Sequence, residues 1–173
     1  ELQHLIYTAV KSNHPMAVRY PRGAGVGVEM DKELCCIPIG EGEILRHGCD
    51  VAILALGATV APALEAANWL ATRGIEAEIV NSRFAKPLDS KLITDTASRI
   101  KRLLTVEENV LSGGFGSSVA ALLQKSGVTD VRLKSIGIPD EFVEHGAPTI
   151  LRAKYGLDVK GIADEALTMF AEA

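Results

Sequence analysis

The residues best suited to chemistry in this chain are two arginines that flank a proline. They lie in the segment Arg-Tyr-Pro-Arg-Gly at residues 19–23, and further glycines follow at positions 25 and 27. A guanidinium group is permanently charged and presents its donors in one plane, so Arg19 and Arg22 suit a phosphate or a carboxylate. The glycines would let the backbone pass close to the bound anion. The alternative is a solvated basic turn, which composition alone leaves open.

A second candidate anion site is the turn Gly-Gly-Phe-Gly-Ser-Ser at residues 113–118. It opens a helical pattern, and the free N–H groups at a helix N-terminus bind anions such as phosphate. Its spacing departs from the dinucleotide-binding fingerprint, and the next strand offers Arg132 and Lys134 where an acidic residue would be expected. The alternative is a tight turn that lets the helix and the sheet pack closely.

Candidates for acid–base chemistry are Glu107, Glu108 and His145. The two glutamates are adjacent at the end of an apolar run, and neighbouring strand residues point to opposite faces, so they cannot form a close carboxylate pair. The sequence leaves open that one faces a cleft while the other caps a helix. The four histidines show no metal-ligand spacing. No cysteine–histidine pair can be placed, and no catalytic residue is predicted.

Composition favours an α/β protein. The chain has 173 residues, of which 47% are hydrophobic but only 5% aromatic, so Ala, Val, Leu and Ile must form the core. Such a core is typical of buried parallel strands. A net charge of −4 argues against nucleic-acid binding, and no apolar run is long enough to span a bilayer. Cys35, Cys36 and Cys49 fit neither a disulfide framework nor a zinc site, which indicates a reducing compartment.

The elements that must position these residues alternate between strand and helix, which predicts a parallel sheet with helices on both faces. The predicted strands lie at residues 16–20, 37–45, 50–56, 77–80, 103–106 and 131–136. The predicted helices lie at residues 1–12, 59–72, 115–125, 147–155 and 159–172, with a further helix running from the turn at 87–89 to residue 100. The first helix begins without an initiator Met or a capping residue, so we expect the chain to be part of a longer protein.

Several longer motifs resemble the 1-deoxy-D-xylulose-5-phosphate synthase family of the transketolase superfamily. They follow the family's order and cover nearly the whole chain. The matching segments are residues 17–28, 37–42, 80–89, 105–109, 113–117 and 138–140.

The resemblance implies a three-layer fold like the transketolase C-terminal domain. In that α/β fold a mostly parallel sheet has one antiparallel edge strand, here residues 37–45, and helices on both faces. The resemblance also implies three parts of the chain. Residues 1–25 would be the last helix and strand of the pyrimidine-binding domain, residues 26–36 a linker, and residues 37–173 the C-terminal domain.

For function, the resemblance implies a transferase that uses thiamine diphosphate to condense pyruvate with D-glyceraldehyde 3-phosphate. The products would be 1-deoxy-D-xylulose 5-phosphate and CO₂, and the reaction would be the first step of non-mevalonate isoprenoid synthesis. The sugar phosphate would also feed thiamine synthesis. Carried onto this sequence, it makes Arg22 the contact to the phosphate of the aldehyde, while Arg19 is expected to be structural. The ligands of thiamine diphosphate and Mg²⁺ would lie outside this chain. We therefore expect no catalytic, cofactor or metal residue here, and an inactive isolated chain.

The expected partners are the remainder of the same enzyme, its homodimer mate and the two small-molecule substrates, with no nucleic acid and no membrane. The expected location is the cytoplasm, or the plastid for a plant or algal source. Two alternatives remain. The chain could serve as a non-catalytic assembly and dimerisation module, or as the C-terminal domain of a 2-oxoacid dehydrogenase β-type subunit, which fits the segment at residues 19–23 less well.

Overall fold

The computed structural model describes residues 1–21, 23, 25 and 27–171. It divides into two compact units, Glu1–Ile39 and Gly40–Ala173. In the first unit, helix α1 (Leu2–Lys11) buries His4 and Thr8, four residues apart on one face. The Thr8 hydroxyl accepts a hydrogen bond of 2.8 Å from the backbone N–H of Ile37. A polar face of α1 therefore binds the segment at Ile37, where the chain returns to this helix within the first unit.

The strand predicted at residues 16–20 is wrong. Residues 15–21 adopt neither helix nor strand. A strand is stabilised by backbone hydrogen bonds to a neighbouring strand, and the described residues of the first unit contain no second strand for it to pair with.

The second unit is built on a five-stranded sheet in the order β1-β3-β2-β4-β5. Strand β1 pairs antiparallel with β3, and the other neighbours pair in parallel. The strands are β1 (Glu43–Arg46), β2 (Val51–Ala55), β3 (Ala77–Asn81), β4 (Arg102–Val110) and β5 (Arg132–Ile138). This confirms the mostly parallel sheet with one antiparallel edge strand.

Helices cover both faces of this sheet. They are α2 (Val60–Ala71), α3 (Ser90–Arg99), α4 (Phe115–Lys125), α5 (Pro148–Lys154) and α6 (Val159–Ala171). Alternate residues of β2 enter two separate cores, because successive strand side chains point to opposite faces. Ile53 packs in the core that α2 and α6 complete, and Leu54 packs in the core that α3 and α4 complete. The three-layer α/β fold is confirmed.

The edge strand is shorter than predicted. Only Glu43–Arg46 of the expected segment is paired. Gly40 has a φ of +83°, which turns the chain out of the extended conformation before the strand begins. The backbone N–H of Gly42 then donates to Asp89, whose other carboxylate oxygen accepts from Leu92 N–H at the start of α3. One carboxylate thus fixes both the entry to the edge strand and the start of a helix.

Among the residues described, none belongs to a helix long and apolar enough to cross a membrane.

Candidate functional site

The predicted phosphate contact, Arg22, lies outside the described residues. Of its neighbours, Arg19 is exposed, and Tyr20 retains 63% of its accessible surface. The roles assigned to Arg19 and Arg22 from the sequence remain predictions.

The switch point of the parallel sheet is occupied by the chain itself. In the sheet, β2 lies between β3 on one side and β4 on the other. At a switch point of this kind, α/β proteins bind ligands in the crevice at the carboxyl ends of the strands. Here a short 3₁₀ turn, Gly57–Thr59, follows β2. The buried hydroxyl of Thr59 donates to the carbonyl of Val106 at 3.0 Å and accepts from Leu56 N–H at 3.1 Å. These hydrogen bonds close the crevice.

The N-terminus of α4 is likewise occupied from within. Both carboxylate oxygens of Glu107, which is fully buried, accept backbone hydrogen bonds: Oε2 from Phe115 at 2.7 Å and Oε1 from Gly116 at 2.8 Å. A carboxylate at a helix N-terminus is favoured by the free N–H groups and by the helix dipole. The anion predicted for this turn is therefore the protein's own Glu107, and no phosphate is needed to satisfy these donors. This is the helix cap that the sequence left open for one of the two glutamates.

The glycines of this turn are explained by close approach. A Cβ added at Gly114 would lie 2.4 Å from the Val110 carbonyl oxygen and 2.6 Å from Glu107 Oε2. A Cβ at Gly116 would lie within 2.6 Å of the hydroxyls of both Thr105 and Ser135. Larger residues would push the helix away from the sheet. The alternative of a tight packing turn is confirmed.

Glu108 points away from its neighbour and pairs with α5. Its Oε1 lies 2.5 Å from Nε of Arg152, and about a quarter of its side chain remains exposed. The expectation that Glu107 and Glu108 do not form a pair is therefore confirmed.

The sequence analysis did not identify a second buried carboxylate, Glu78 in β3. It is fully buried, and its Oε1 accepts from Arg99 at 2.7 Å and from the Thr96 hydroxyl at 3.3 Å. Its Oε2 has no hydrogen bond among the described residues, and His47 Nδ1 lies 3.8 Å from it. The signal was a single charge within the apolar strand Ala77–Asn81.

His145 is exposed in the segment that precedes α5. This segment is tied to the helix by Lys154, whose ammonium lies 2.8 Å from Glu144, and by the Tyr155 hydroxyl, which donates to Glu141 at 2.8 Å. The hydrogen bond from Lys154 lowers the pKa of Glu144, and the one to Glu141 raises the pKa of Tyr155. These contacts fix the segment against the helix, and they assemble no reacting group.

The first unit does contain a cysteine–histidine pair, contrary to the sequence analysis. His4 Nε2 lies 2.7 Å from Asp31 Oδ2, and His4 Nδ1 lies 3.5 Å from Cys35 Sγ. Separations of 27 and 31 residues along the chain hid these contacts. Within the described ranges, no group of three or more His, Cys, Asp and Glu side chains could hold a metal ion.

Comparison with known proteins identifies the family. The model of the transketolase C-terminal domain matches residues 40–162, which include the whole five-stranded sheet. The chain belongs to the transketolase family.

Within that family the chain is similar to 1-deoxy-D-xylulose-5-phosphate synthases. It is 56% identical over 159 residues to the synthase of Desulforudis audaxviator, which covers 92% of this chain and 25% of that protein. It is also 56% identical over 163 residues to synthase 1 of Geobacter sulfurreducens, covering 94% of this chain and 26% of that protein. The chain thus spans about a quarter of the length of these curated relatives. The resemblance stated from the motifs is confirmed.

A solved structure supports the same assignment. The protein described as a split-gene transketolase in an inactive β4 tetramer superposes with a TM-score of 0.72 at 34% identity, covering 78% of this chain and 43% of that one. This transketolase-family chain therefore shares its fold with a separately encoded part of a transketolase.

Proposed function

We propose that this chain is the C-terminal part of a thiamine-diphosphate-dependent 1-deoxy-D-xylulose-5-phosphate synthase. The complete enzyme would condense pyruvate with D-glyceraldehyde 3-phosphate, release CO₂ and supply isoprenoid synthesis. The observation that carries this proposal is 56% identity to such a synthase over 92% of the chain. Because these curated relatives carry the synthase name, they favour this function over the 2-oxoacid dehydrogenase alternative.

The described residues do not fit the cofactor. Binding of a diphosphate with Mg²⁺ needs oxygen ligands for the metal and free donors for the phosphates. No described group of acidic side chains could hold a metal ion, and at the helix N-terminus that could take a phosphate Glu107 already accepts from two of the N–H groups. We therefore assign no step through the cofactor to these residues. That its ligands lie elsewhere in the enzyme remains a prediction.

The proposed contribution of this chain to substrate binding is Arg22. A phosphorylated aldehyde carries a dianion, and the planar fork of a guanidinium can bind two of its oxygens at once. A charge-assisted hydrogen bond of this kind contributes about 1.5–3 kcal/mol. Arg19, three residues earlier in the same segment, provides a matched control with the same charge.

The test is to replace Arg22 by Ala in the intact enzyme and to compare two acceptors, D-glyceraldehyde 3-phosphate and unphosphorylated D-glyceraldehyde. We expect kcat/KM for the phosphorylated acceptor to fall about tenfold to a hundredfold, since each 1.4 kcal/mol is a factor of ten. The value for D-glyceraldehyde should change little, because no phosphate is lost from the contact. Arg22→Lys, which keeps the charge without the fork, should lie in between.

Equal losses with both acceptors would contradict the assignment of Arg22 to the phosphate. The Arg19→Ala variant should not discriminate between the two aldehydes, and selectivity lost there instead of at Arg22 would move the site. Sedimentation of each variant establishes whether the dimer remains intact.

We also propose that the isolated chain does not turn over, since the similar split-gene transketolase is described as an inactive β4 tetramer. Formation of CO₂ from pyruvate by the purified 173-residue chain, with thiamine diphosphate and Mg²⁺ added, would contradict this. Restored activity on mixing with the remainder of the enzyme is the expected positive control.

A second candidate role is assembly. Several large apolar side chains of the described residues are exposed, among them Phe142 at 106%, Val28 at 69% and Ile150 at 67%. Where such side chains form one contiguous patch, they are typical of surfaces that other parts of a protein cover. If Arg22→Ala dissociates the enzyme while leaving the kinetics per dimer unchanged, the assembly role is favoured over phosphate binding.

A further inference from the structure

Three side chains of the first unit form a continuous chain of contacts from a carboxylate to a thiol. Asp31 Oδ2 lies 2.7 Å from His4 Nε2, and the other ring nitrogen, His4 Nδ1, lies 3.5 Å from Cys35 Sγ. The contacts are on opposite sides of the imidazole, so the three groups cannot bind one metal ion together. They have the order of a nucleophile, a base and a group that orients the base.

The backbone fixes the protonation of the neutral imidazole. The N–H of Cys35 donates to His4 Nδ1 at 3.2 Å. An amide N–H can only donate, so Nδ1 must be the unprotonated nitrogen, and Nε2 then carries the proton and donates to Asp31. The Nδ1 lone pair that accepts this N–H also faces the cysteine sulfur at 3.5 Å, so the amide and the thiol share one acceptor on the base.

Burial separates the base from the thiol. His4 retains only 8% of its accessible surface, so its ring is held in place, whereas Cys35 is exposed. Both border an open surface pocket of about 680 Å³ within the first unit. A reagent can thus reach the sulfur while the imidazole stays in position.

We propose that Cys35 is a reactive thiol that forms mixed disulfides with small disulfides. His4 accepts its proton, and Asp31 positions His4 and stabilises the imidazolium. The proposal does not depend on the proposed synthase activity, because none of these three residues has a role in it.

The reaction balances without a further oxidant. The Cys35 proton passes to His4 Nδ1, which gives up its hydrogen bond from the Cys35 N–H, and the thiolate attacks one sulfur of the disulfide RS–SR. A new Cys35–S–S–R bond forms as the old S–S bond breaks, and the leaving thiolate RS⁻ takes up the proton from His4 or from water. One molecule of disulfide is consumed and one of thiol is released.

The charge of the pocket predicts which disulfides react. Its charged side chains are Glu29, Asp31, Lys32 and Glu33, so three carboxylates face one ammonium. Their field attracts cations and repels anions. Cystamine, which carries two ammonium groups, should therefore react faster than the dianion of dithiodiglycolic acid.

The test measures modification of the intact protein by each reagent, with mass spectrometry resolving the three cysteines. Cys36 and Cys49 are exposed too, and among the described residues no hydrogen bond joins an imidazole to either sulfur. They therefore serve as controls within the same molecule. At pH 7 we expect Cys35 to react with cystamine about tenfold faster than either, since an unassisted thiol is only a few per cent thiolate at this pH.

Two variants test whether the His4 base, and not the other surroundings of Cys35, raises its reaction rate. His4→Gln should lower the Cys35 rate to that of Cys36 and give the two the same dependence on pH. Asp31→Asn should reduce the rate less. An unchanged rate at Cys36, which lies in the same unit as Cys35, and an unchanged helical circular dichroism signal would show that the first unit is intact, and an unchanged rate at Cys49 that the second unit is intact. Equal rates at all three cysteines of the unmodified sequence, or a fast Cys35 in His4→Gln, would overturn the proposal. A preference for the dianionic disulfide would overturn the charge selectivity.

Discussion

Two fully buried glutamates of the second unit face the same problem in different ways. Glu107, near the carboxyl end of β4, is satisfied by two backbone N–H groups of α4. Glu78, the second residue of β3, depends mainly on the side chain of Arg99, which is 51% exposed, and has one oxygen without a hydrogen bond among the described residues. Backbone donors are fixed by the helix, whereas a long side chain must be ordered and can exchange its partner for water.

The contrast between Glu107 and Glu78 shows which kind of partner lets a buried carboxylate stabilise this fold. Glu107 joins a strand to the helix that follows it, and its two N–H donors have no other acceptor among the described residues. Glu78 carries a charge whose removal from water is only partly offset, and its partner Arg99 is half exposed, so water can solvate Arg99 when the pair is lost. Equal burial therefore does not imply equal contribution to stability.

The largest expected effect is at Glu107. Glu107→Gln keeps the shape but offers one acceptor oxygen to two N–H donors and places an NH₂ group against the other. We expect the free energy of unfolding in urea to fall by about 2–4 kcal/mol, given that hydrogen bonds to charged groups contribute about 1.5–3 kcal/mol each. Glu78→Gln, the same chemical change at equal burial, should alter it by no more than about 1 kcal/mol.

Equal losses of unfolding free energy at Glu107 and Glu78 would contradict the view that backbone partners stabilise a buried carboxylate more than a side-chain partner does. Glu108→Gln provides a control next to Glu107, because its ion pair with Arg152 is partly exposed. We expect it to cost about 0–1 kcal/mol. A cost comparable to that of Glu107→Gln would point to a general effect of charge at the end of β4.

The smallest effect is expected at Asp130, whose carboxylate is exposed. It gives the lower limit against which the effects at the two buried glutamates are compared. Its Oδ2 lies 2.8 Å from Lys101 Nζ, and the side-chain hydrogen bond from Lys101 lowers the pKa of Asp130. Because the folded pKa is below the unfolded one, the pair stabilises the fold above the unfolded pKa, and that contribution is lost as pH falls through the folded pKa.

Lys101→Met should raise the pKa of Asp130 toward its ordinary value, which an NMR titration of the carboxyl carbon would measure. Lys101→Arg, which keeps the charge, should hold the pKa low. Salt should reduce the difference between the two variants, since an exposed pair is screened. An Asp130 pKa that does not respond to loss of Lys101 would show that this ammonium group is not what lowers it.

The sequence predicted most of the second unit because local patterns agreed with the tertiary structure. The helix predicted at residues 115–125 is α4 (Phe115–Lys125), and the apolar run at residues 50–56 contains β2 (Val51–Ala55). The strand at residues 16–20 failed because strand formation needs a partner, which a local pattern cannot supply. The shortened edge strand has a local cause, the left-handed turn at Gly40, a glycine that already interrupts the strand pattern in the sequence.

By itself, the sequence determined the family, the α/β class and the mostly parallel sheet, because these follow from periodicity and from motifs that are continuous along the chain. Only the tertiary structure decided what the polar groups do. Glu107 meets the start of α4, Glu78 meets Arg99, and His4 meets Asp31 and Cys35. The last of these contacts joins residues up to 31 positions apart, a distance that only the packed fold can close.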